Sequence, residues 1–221
     1  MSTKKAKEQK QELATSESNI SKQSEGGGFA VSLEDIDVPR LNVIQKMSSI
    51  EGPIGGVVID KTDTLIDKEE RCDVVVAHTK KGWRENIPFG SDELPQMAWN
   101  ESERNILQSS TEYGDLVTFA DITFLIPQPE GADDDLYQYP IGDKNYALGV
   151  INVAKDGYKF TYKKINTFQL FNHKLPVSAK IWSFGAELIT KGQHSWFIPT
   201  LKPTSENAPE EAIEFSQLLG S

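Results

Sequence analysis

The densest run of chemistry-bearing residues in this 221-residue chain lies between positions 155 and 202. Eight lysines (155, 159, 163, 164, 174, 180, 191 and 202) stand there against two acids, Asp156 and Glu187. Nine aromatic residues share the interval: Tyr158, Phe160, Tyr162, Phe168, Phe171, Trp182, Phe184, Trp196 and Phe197. The two types interleave, as in Tyr158-Lys159-Phe160-Thr161-Tyr162-Lys163-Lys164. Ammonium groups neutralise phosphates, and flat rings stack with unpaired bases at about 1–3 kcal/mol each. Lysine and ring at this density are therefore the chemistry of a groove for single-stranded nucleic acid. The candidate contacts are Tyr158, Lys159, Phe160, Tyr162, Lys163, Lys164, Phe168, Phe171, Lys174, Lys180, Trp182 and Trp196. A second cluster, His78-Thr79-Lys80-Lys81-Gly82-Trp83-Arg84, reads as a hairpin loop. It adds Lys80, Lys81, Trp83 and Arg84, one ring among three cations.

Nothing comparable supports catalysis. There is no Gly-x-x-x-x-Gly-Lys-Ser/Thr loop and no Gly-x-Gly-x-x-Gly after a strand. There is no Gly-x-Ser-x-Gly elbow. Three histidines (78, 173, 194) and one cysteine are too widely spaced for a zinc site. The acid-x-Lys pattern of metal-dependent nucleases occurs only as Glu8-Gln9-Lys10, outside any strand. Asp133-Asp134-Asp135 lacks the glycine and distal Glu of a calcium loop and reads as a solvated turn. The expectation is a binding protein, not an enzyme, with no cofactor and no metal.

The elements that must position these residues are mainly strands. Val57–Ile59, Cys72–Ala77, Leu116–Ile126, Tyr146–Ala154, Tyr158–Tyr162, Ile181–Ile189 and Ser195–Leu201 all read as strands. In Ile181–Leu188, the residues Trp182, Phe184, Ala186 and Leu188 share one face. Asp156-Gly157 signals a hairpin turn, and Lys191-Gly192-Gln193 signals a second one joining the Trp182 and Trp196 strands. In the strand reading, Tyr158, Phe160 and Tyr162 share a face while Lys159 and Lys163 point the other way, so neighbouring strands must supply cations to the rings. Asn100 and Glu103 form a capping box opening a helix through about Ser109. A helix is also expected around Lys164–Asn172. Asp37–Met47 fits either a helix or a strand. Many short strands and few helices imply a mostly-β fold. An open barrel of the oligonucleotide-binding type is the first expectation, and a two-sheet sandwich is the alternative.

Charge divides the chain. The formal net charge is -10, which on its own disfavours a polyanion. Residues 29–154 carry 10 Lys/Arg and 23 Asp/Glu, so the acid is concentrated away from the 155–202 cluster. Residues 1–28, polar and almost without apolar side chains, read as a disordered tail ending in Gly26-Gly27-Gly28. Residues 29–202 form the β-rich body. Residues 203–221 carry four Glu and no Lys or Arg and read as a flexible acidic tail. Within it Ala212, Phe215, Leu218 and Leu219 recur at helical spacing, and Phe215, Leu218 and Leu219 are candidate contacts to a partner protein. No apolar run approaches the ~18 residues of a membrane span. The opening residues lack a secretory h-region, and a single cysteine needs no oxidising compartment, so cytoplasmic residence is expected. Self-association is a further possibility.

The run Asp35-Ile36-Asp37-Val38-Pro39-Arg40-Leu41-Asn42-Val43-Ile44-Gln45-Lys46-Met47-Ser48 resembles the opening of a group of tailed-bacteriophage proteins. Those proteins begin with acid-x-Pro-Arg/Phe-Leu-x-x-x-Gln-x-Met-Ser. A glycine-flanked strand (Gly52–Asp60), a strand ending in a Lys/Trp turn (Val74–Trp83), a Lys/Asn-rich segment (Ile165–Lys174) and two aromatic strands (Ile181–Pro199) follow in similar order. The resemblance spans residues 34–200. Some of these proteins are regarded as single-stranded-DNA-binding proteins of phage DNA metabolism. The resemblance thus implies DNA replication or recombination, with single-stranded DNA and replication or recombination proteins as partners. A structural or accessory phage protein without a nucleic-acid role is the alternative.

Overall fold

The computed structural model describes residues 36–61, 63–88, 90–132 and 135–219. The expected N-terminal tail and its glycine hinge, and Asp133-Asp134, lie outside the described residues. Strands account for 43% of the described residues and helices for 22%, so the fold is mostly β.

Two antiparallel sheets carry it. The smaller is β1 (Leu41–Val43), β2 (Val57–Ile59) and β3 (Asp63–Ile66), in that order. The larger uses β4 (Arg71–Arg84), β5 (Met97–Ala98), β6 (Val117–Pro127), β7 (Tyr139–Ile141), β8 (Lys144–Ala154), β9 (Lys180–Lys191) and β10 (His194–Asn207). Its order is β10-β9-β4-β6-β8-β7, with β5 paired to the end of β4. In chain order, β4, β6 and β8 form a meander. Two helices follow, α2 (Lys155–Phe160) and α3 (Tyr162–Phe171). The β9–β10 hairpin then returns to pair β9 with the other edge of β4.

Period-2 alternation sends one set of residues to an inner face, the main core. Val74, Val76, Ala120, Ile122, Phe124, Ile151, Trp182 and Phe184 lie there, covered by Leu41, Val57, Ile59 and Ile66 of the small sheet and by Ile165 of α3. The opposite, outer face carries a second cluster at one end. There Val75, Leu125 and Leu148 pack with Ala212 and Leu219 of α4 (Glu210–Leu219).

The edges of the large sheet are tied together without pairing. Val150 N donates to Pro39 O (2.9 Å) on the edge of β8. Gln45 reaches the far edge, β10: its Nε2 donates to Phe197 O (2.8 Å) and its Oε1 accepts from Phe197 N (2.9 Å). One side-chain amide thus completes two backbone bonds of an edge residue, which gives the glutamine of the opening motif a structural role. α2 packs against both β8 and β10. No hydrogen-bonded ladder closes the sheet into a barrel among the described residues.

Most expected strands are present, and the capping box is formed. Asn100 Oδ1 accepts from Glu103 N (2.9 Å) and caps α1 (Glu101–Ser110), while Glu103 Oε2 accepts from Trp99 N (2.7 Å). The second hairpin forms around Gly192, whose φ of 60° needs a residue without Cβ. The Asp37–Met47 alternatives resolve to the strand β1.

Three expectations are corrected. Residues 155–162 are helical, not a hairpin followed by a strand. Asp156 sits in the first turn of α2, where a carboxylate suits the helix dipole. Buried Gly157 lets the helix approach β10: a Cβ there would meet Pro199 at 3.3 Å. Buried Thr161 breaks α2 from α3, its hydroxyl donating to Gly157 O (2.6 Å). Second, residues 78–84 are not a loop but the second half of β4, continued past a bulge between Val76 and His78 to pair with β6. Third, residues 203–219 are not a flexible tail. β10 runs to Asn207, and α4 docks on the sheet with Ala212, Ser216 and Leu219 buried.

Candidate nucleic-acid interface

Alternation along β4 separates the cations of the 80–84 cluster. Lys80, Gly82 and Arg84 point to the outer face, and Lys81 and Trp83 to the inner. Cross-strand register places Lys80 opposite Asp121, and Asp121 opposite Asn152, so these three residues form a line across β4, β6 and β8. This end of the outer face lies outside the cluster that α4 joins.

A continuous track of contacts crosses it. Lys80 Nζ lies 4.8 Å from the ring centroid of half-exposed Trp99, at the entrance to α1. Trp99 stands edge-on to buried Phe119 at 5.0 Å. The Arg84 guanidinium lies over the same Phe119 ring at 5.6 Å, and its Nη1 donates to Asn152 Oδ1 (3.3 Å). Asn152 Nδ2 donates to Asp121 Oδ1 (2.6 Å). Beyond Asn152 opens a surface cavity of about 310 Å³ between the start of α2 and β10, lined by Lys155, Asp156 and Trp196 among others. Lys191 Nζ lies 5.8 Å from the Trp196 centroid and donates to both Asp156 carboxylate oxygens (2.7 and 2.8 Å). Lys155, at the strand-to-helix junction, holds a left-handed φ of 50°, which costs a residue with a Cβ about 1–3 kcal/mol. Lys155 is exposed and lines the cavity.

The track carries four cations (Lys80, Arg84, Lys155, Lys191) and two carboxylates (Asp121, Asp156), each hydrogen-bonded to one of its neighbours. Beside it Glu103 Oε2 accepts from Trp99 N, and the chain as a whole carries a net charge of -10. A different cavity, about 550 Å³, is lined by Asp37, Asp60, Asp63 and Asp135, and such a wall repels phosphate.

The sequence-derived site residues divide. Lys80, Arg84 and Trp196 lie on the track. Trp182 is fully buried, with the edge of Phe168 against it at 5.2 Å, so it is a core residue and no stacking platform. Trp83 is also buried at 7% exposure, held between Lys81 Nζ (4.6 Å) and the Arg104 guanidinium (5.2 Å). Tyr158 and Tyr162 pair with each other one helical turn apart (5.0 Å) and pack on the core with Phe168. Lys159 lies over half-buried Phe160 (5.4 Å). Lys180 is tied to Ser205 O (2.9 Å) and Asn207 Oδ1 (3.1 Å). Lys163, Lys164, Phe171 and Lys174 are exposed on or just beyond α3. Of the partner candidates, Leu219 is buried under α4 and Phe215 packs against the outer-face cluster, while Leu218 is 66% exposed.

Trp99, Phe119 and Asn152 were missed by sequence reasoning. Asn152 had a signal: it is the one polar side chain in the apolar run Ala147–Ala154. Trp99 and Phe119 had none, because their meeting depends on β5 pairing with β4. Burial, then the charge of Asp73, push the Cys72 thiol up to about 12. Among the described residues no group of three His, Cys, Asp or Glu side chains could hold a metal, and no helix is long and apolar enough to cross a membrane. The chain matches no family model, no curated protein and no solved structure.

Proposed function

We propose that the protein binds single-stranded DNA along the track from Lys80 to Lys191, without catalytic chemistry of its own. The fold reading that accompanies this is an open oligonucleotide-binding barrel. Its five strands would be β4, β6, β8, β9 and β10, with α2–α3 between the third and fourth. The gap between β8 and β10 would be spanned by residues 39–45 and α2. In such barrels the second and third strands, with the first-to-second and fourth-to-fifth loops, carry the ligand.

One observation carries the proposal: all of those parts contribute to the track. Asp121 and Asn152 come from the second and third strands. Trp99 comes from the connection between the first and second. Lys191 and Trp196 flank the turn between the fourth and fifth. Half-exposed Trp99 and Trp196 supply stacking rings, and Lys80, Arg84, Lys155 and Lys191 supply cations. The resemblance to phage proteins of DNA metabolism agrees with this reading. It adds a role in replication or recombination in the cytoplasm of a host cell.

The test is tryptophan fluorescence with a dT oligomer of about 30 nucleotides at several salt concentrations. Quenching is expected, with log affinity falling against log salt at a slope of about -3 if four phosphates are neutralised. Trp99→Ala and Trp196→Ala are each expected to weaken binding. A full-length protein that shows neither quenching nor a shifted oligonucleotide at low salt would overturn the proposal.

A further inference from the structure

We propose that the protein pairs with a second copy of itself, α3 of each copy lying alongside α4 of the other. The observations are two ten-residue helices with matched patterns. On α3, Lys163 and Lys164 are exposed in the first turn, and Leu170 and Phe171 are exposed in the last at 72% and 77%. On α4, Glu211 and Glu214 are exposed in the first half, and Leu218 in the last turn. Lys163 and Leu170 are seven residues apart, and so are Glu211 and Leu218. Seven residues are two helical turns, so each pair lies on one stripe. Packed in parallel, the helices set Lys163 and Lys164 against Glu211 and Glu214, and Leu170 and Phe171 against Leu218.

Two local features point the same way. Lysines in the first turn of α3 add positive charge to the positive end of its dipole, where no acid offsets them. A neighbour's carboxylates would do so. Leu170 and Phe171, with Leu175 (48% exposed) just beyond them, place three large apolar side chains in water within six residues. Such a cluster marks an interaction surface, and apolar contact suits a protein partner better than a phosphate chain. The partner is a second copy because the complementary surface is on this chain: acidic-apolar α4 matches basic-apolar α3. Both helices pack beside the 3-10 turn Val177–Ala179. A two-fold axis near that turn therefore makes the α3–α4 contact twice, as an isologous dimer requires.

The test is the mass of the full chain in solution, without nucleic acid, by sedimentation from about 1 to 100 μM, a range that covers a micromolar dissociation constant. A dimer is expected. The pair Glu211→Lys/Glu214→Lys and the pair Lys163→Glu/Lys164→Glu are each expected to weaken it ~10-fold or more. A chain carrying all four reversals is expected to dimerise again, which also shows that the reversals do not unfold it. Leu170→Asp/Phe171→Asp is expected to leave a monomer that keeps its oligonucleotide affinity. A wild-type monomer throughout would overturn the proposal, as would a dimer indifferent to the reversals or a four-fold reversal that stays monomeric. So would loss of oligonucleotide binding in Lys163→Glu/Lys164→Glu with the mass unchanged, which would assign those lysines to nucleic acid.

Discussion

At one end of β4, β6 and β8 the outward side chains are Val75, Leu125 and Leu148, and α4 lies on them. At the other end, past the bulge that shifts the β4–β6 register between Val76 and His78, the same strands turn out Lys80, Asp121 and Asn152, outside the cluster that α4 joins. The backbone is continuous between the two. The bulge and the side chains together set the difference, and it decides what each end needs. Apolar residues are stabilised by leaving water, so their end recruits the C-terminal segment and folds it. Charged and amide groups can stay in contact with water, so their end needs no such cover. The hairpin repeats the contrast in its two tryptophans: Trp182 on β9 is fully buried, and Trp196 on β10 is half-exposed beside Lys191.

That contrast can be broken in order of size. Trp182→Ala is expected to cost about 3–5 kcal/mol of folding free energy, read as a lower urea midpoint. Ala212→Asp places an unpaired carboxylate where the side chain is fully buried, at a cost of a few kcal/mol. It should release α4, seen as protease cleavage after Asn207 while the rest of the chain resists. Trp196→Ala acts on the other end. It should weaken oligonucleotide binding by about 1–3 kcal/mol and leave the urea midpoint nearly unchanged. If Trp196→Ala unfolds the protein, or Trp182→Ala weakens only binding, the division between core and interface is wrong. Asn100→Ala, which removes the cap that sets the helix following Trp99, should cost about 1 kcal/mol.

The smallest effect is that of pH. His78 is held below its ordinary value, first by burial and then by the charge of Lys80. Glu187 is held below its own, first by the hydrogen bond from Lys202 (2.6 Å). Both folded values are depressed, so both contributions are fully present above the ordinary values and are lost as pH falls. Stability should therefore decline in two limbs on acidification, below about 6.5 for His78 and below about 4.5 for Glu187. His78→Gln should remove the upper limb, measured by urea unfolding across that range.

Much of the fold was legible along the chain. The strands 57–59, 146–154 and 181–189, the capping box at Asn100 and the turn at Gly192 are local patterns, and local patterns survive into the structure. Residues 155–162 failed because Asp-Gly reads as a turn when met alone. Here the glycine serves a close approach to Pro199, which is more than forty residues away in sequence. Residues 78–84 failed because a lysine-rich, glycine-containing stretch looks like a loop unless β6 is present to pair with it. The C-terminal helix was visible as a spacing of Ala212, Phe215 and Leu219, but the surface that holds it was not.

The sequence by itself determined where cations and rings concentrate along the chain, and it set the alternation that makes strand the commonest element. Those properties follow from residue type and from spacing over a few positions. Only the tertiary structure decided which rings remain in water. Trp182 sits where alternation sends it inward, and Trp83 faces inward because of the bulge between Val76 and His78. Trp99 reaches Lys80 and Phe119 because β5 pairs with β4, and Asn152 reaches Arg84 because β6 lies between them. Burial and cross-strand neighbours are properties of contacts distant in sequence, so no local pattern could assign them.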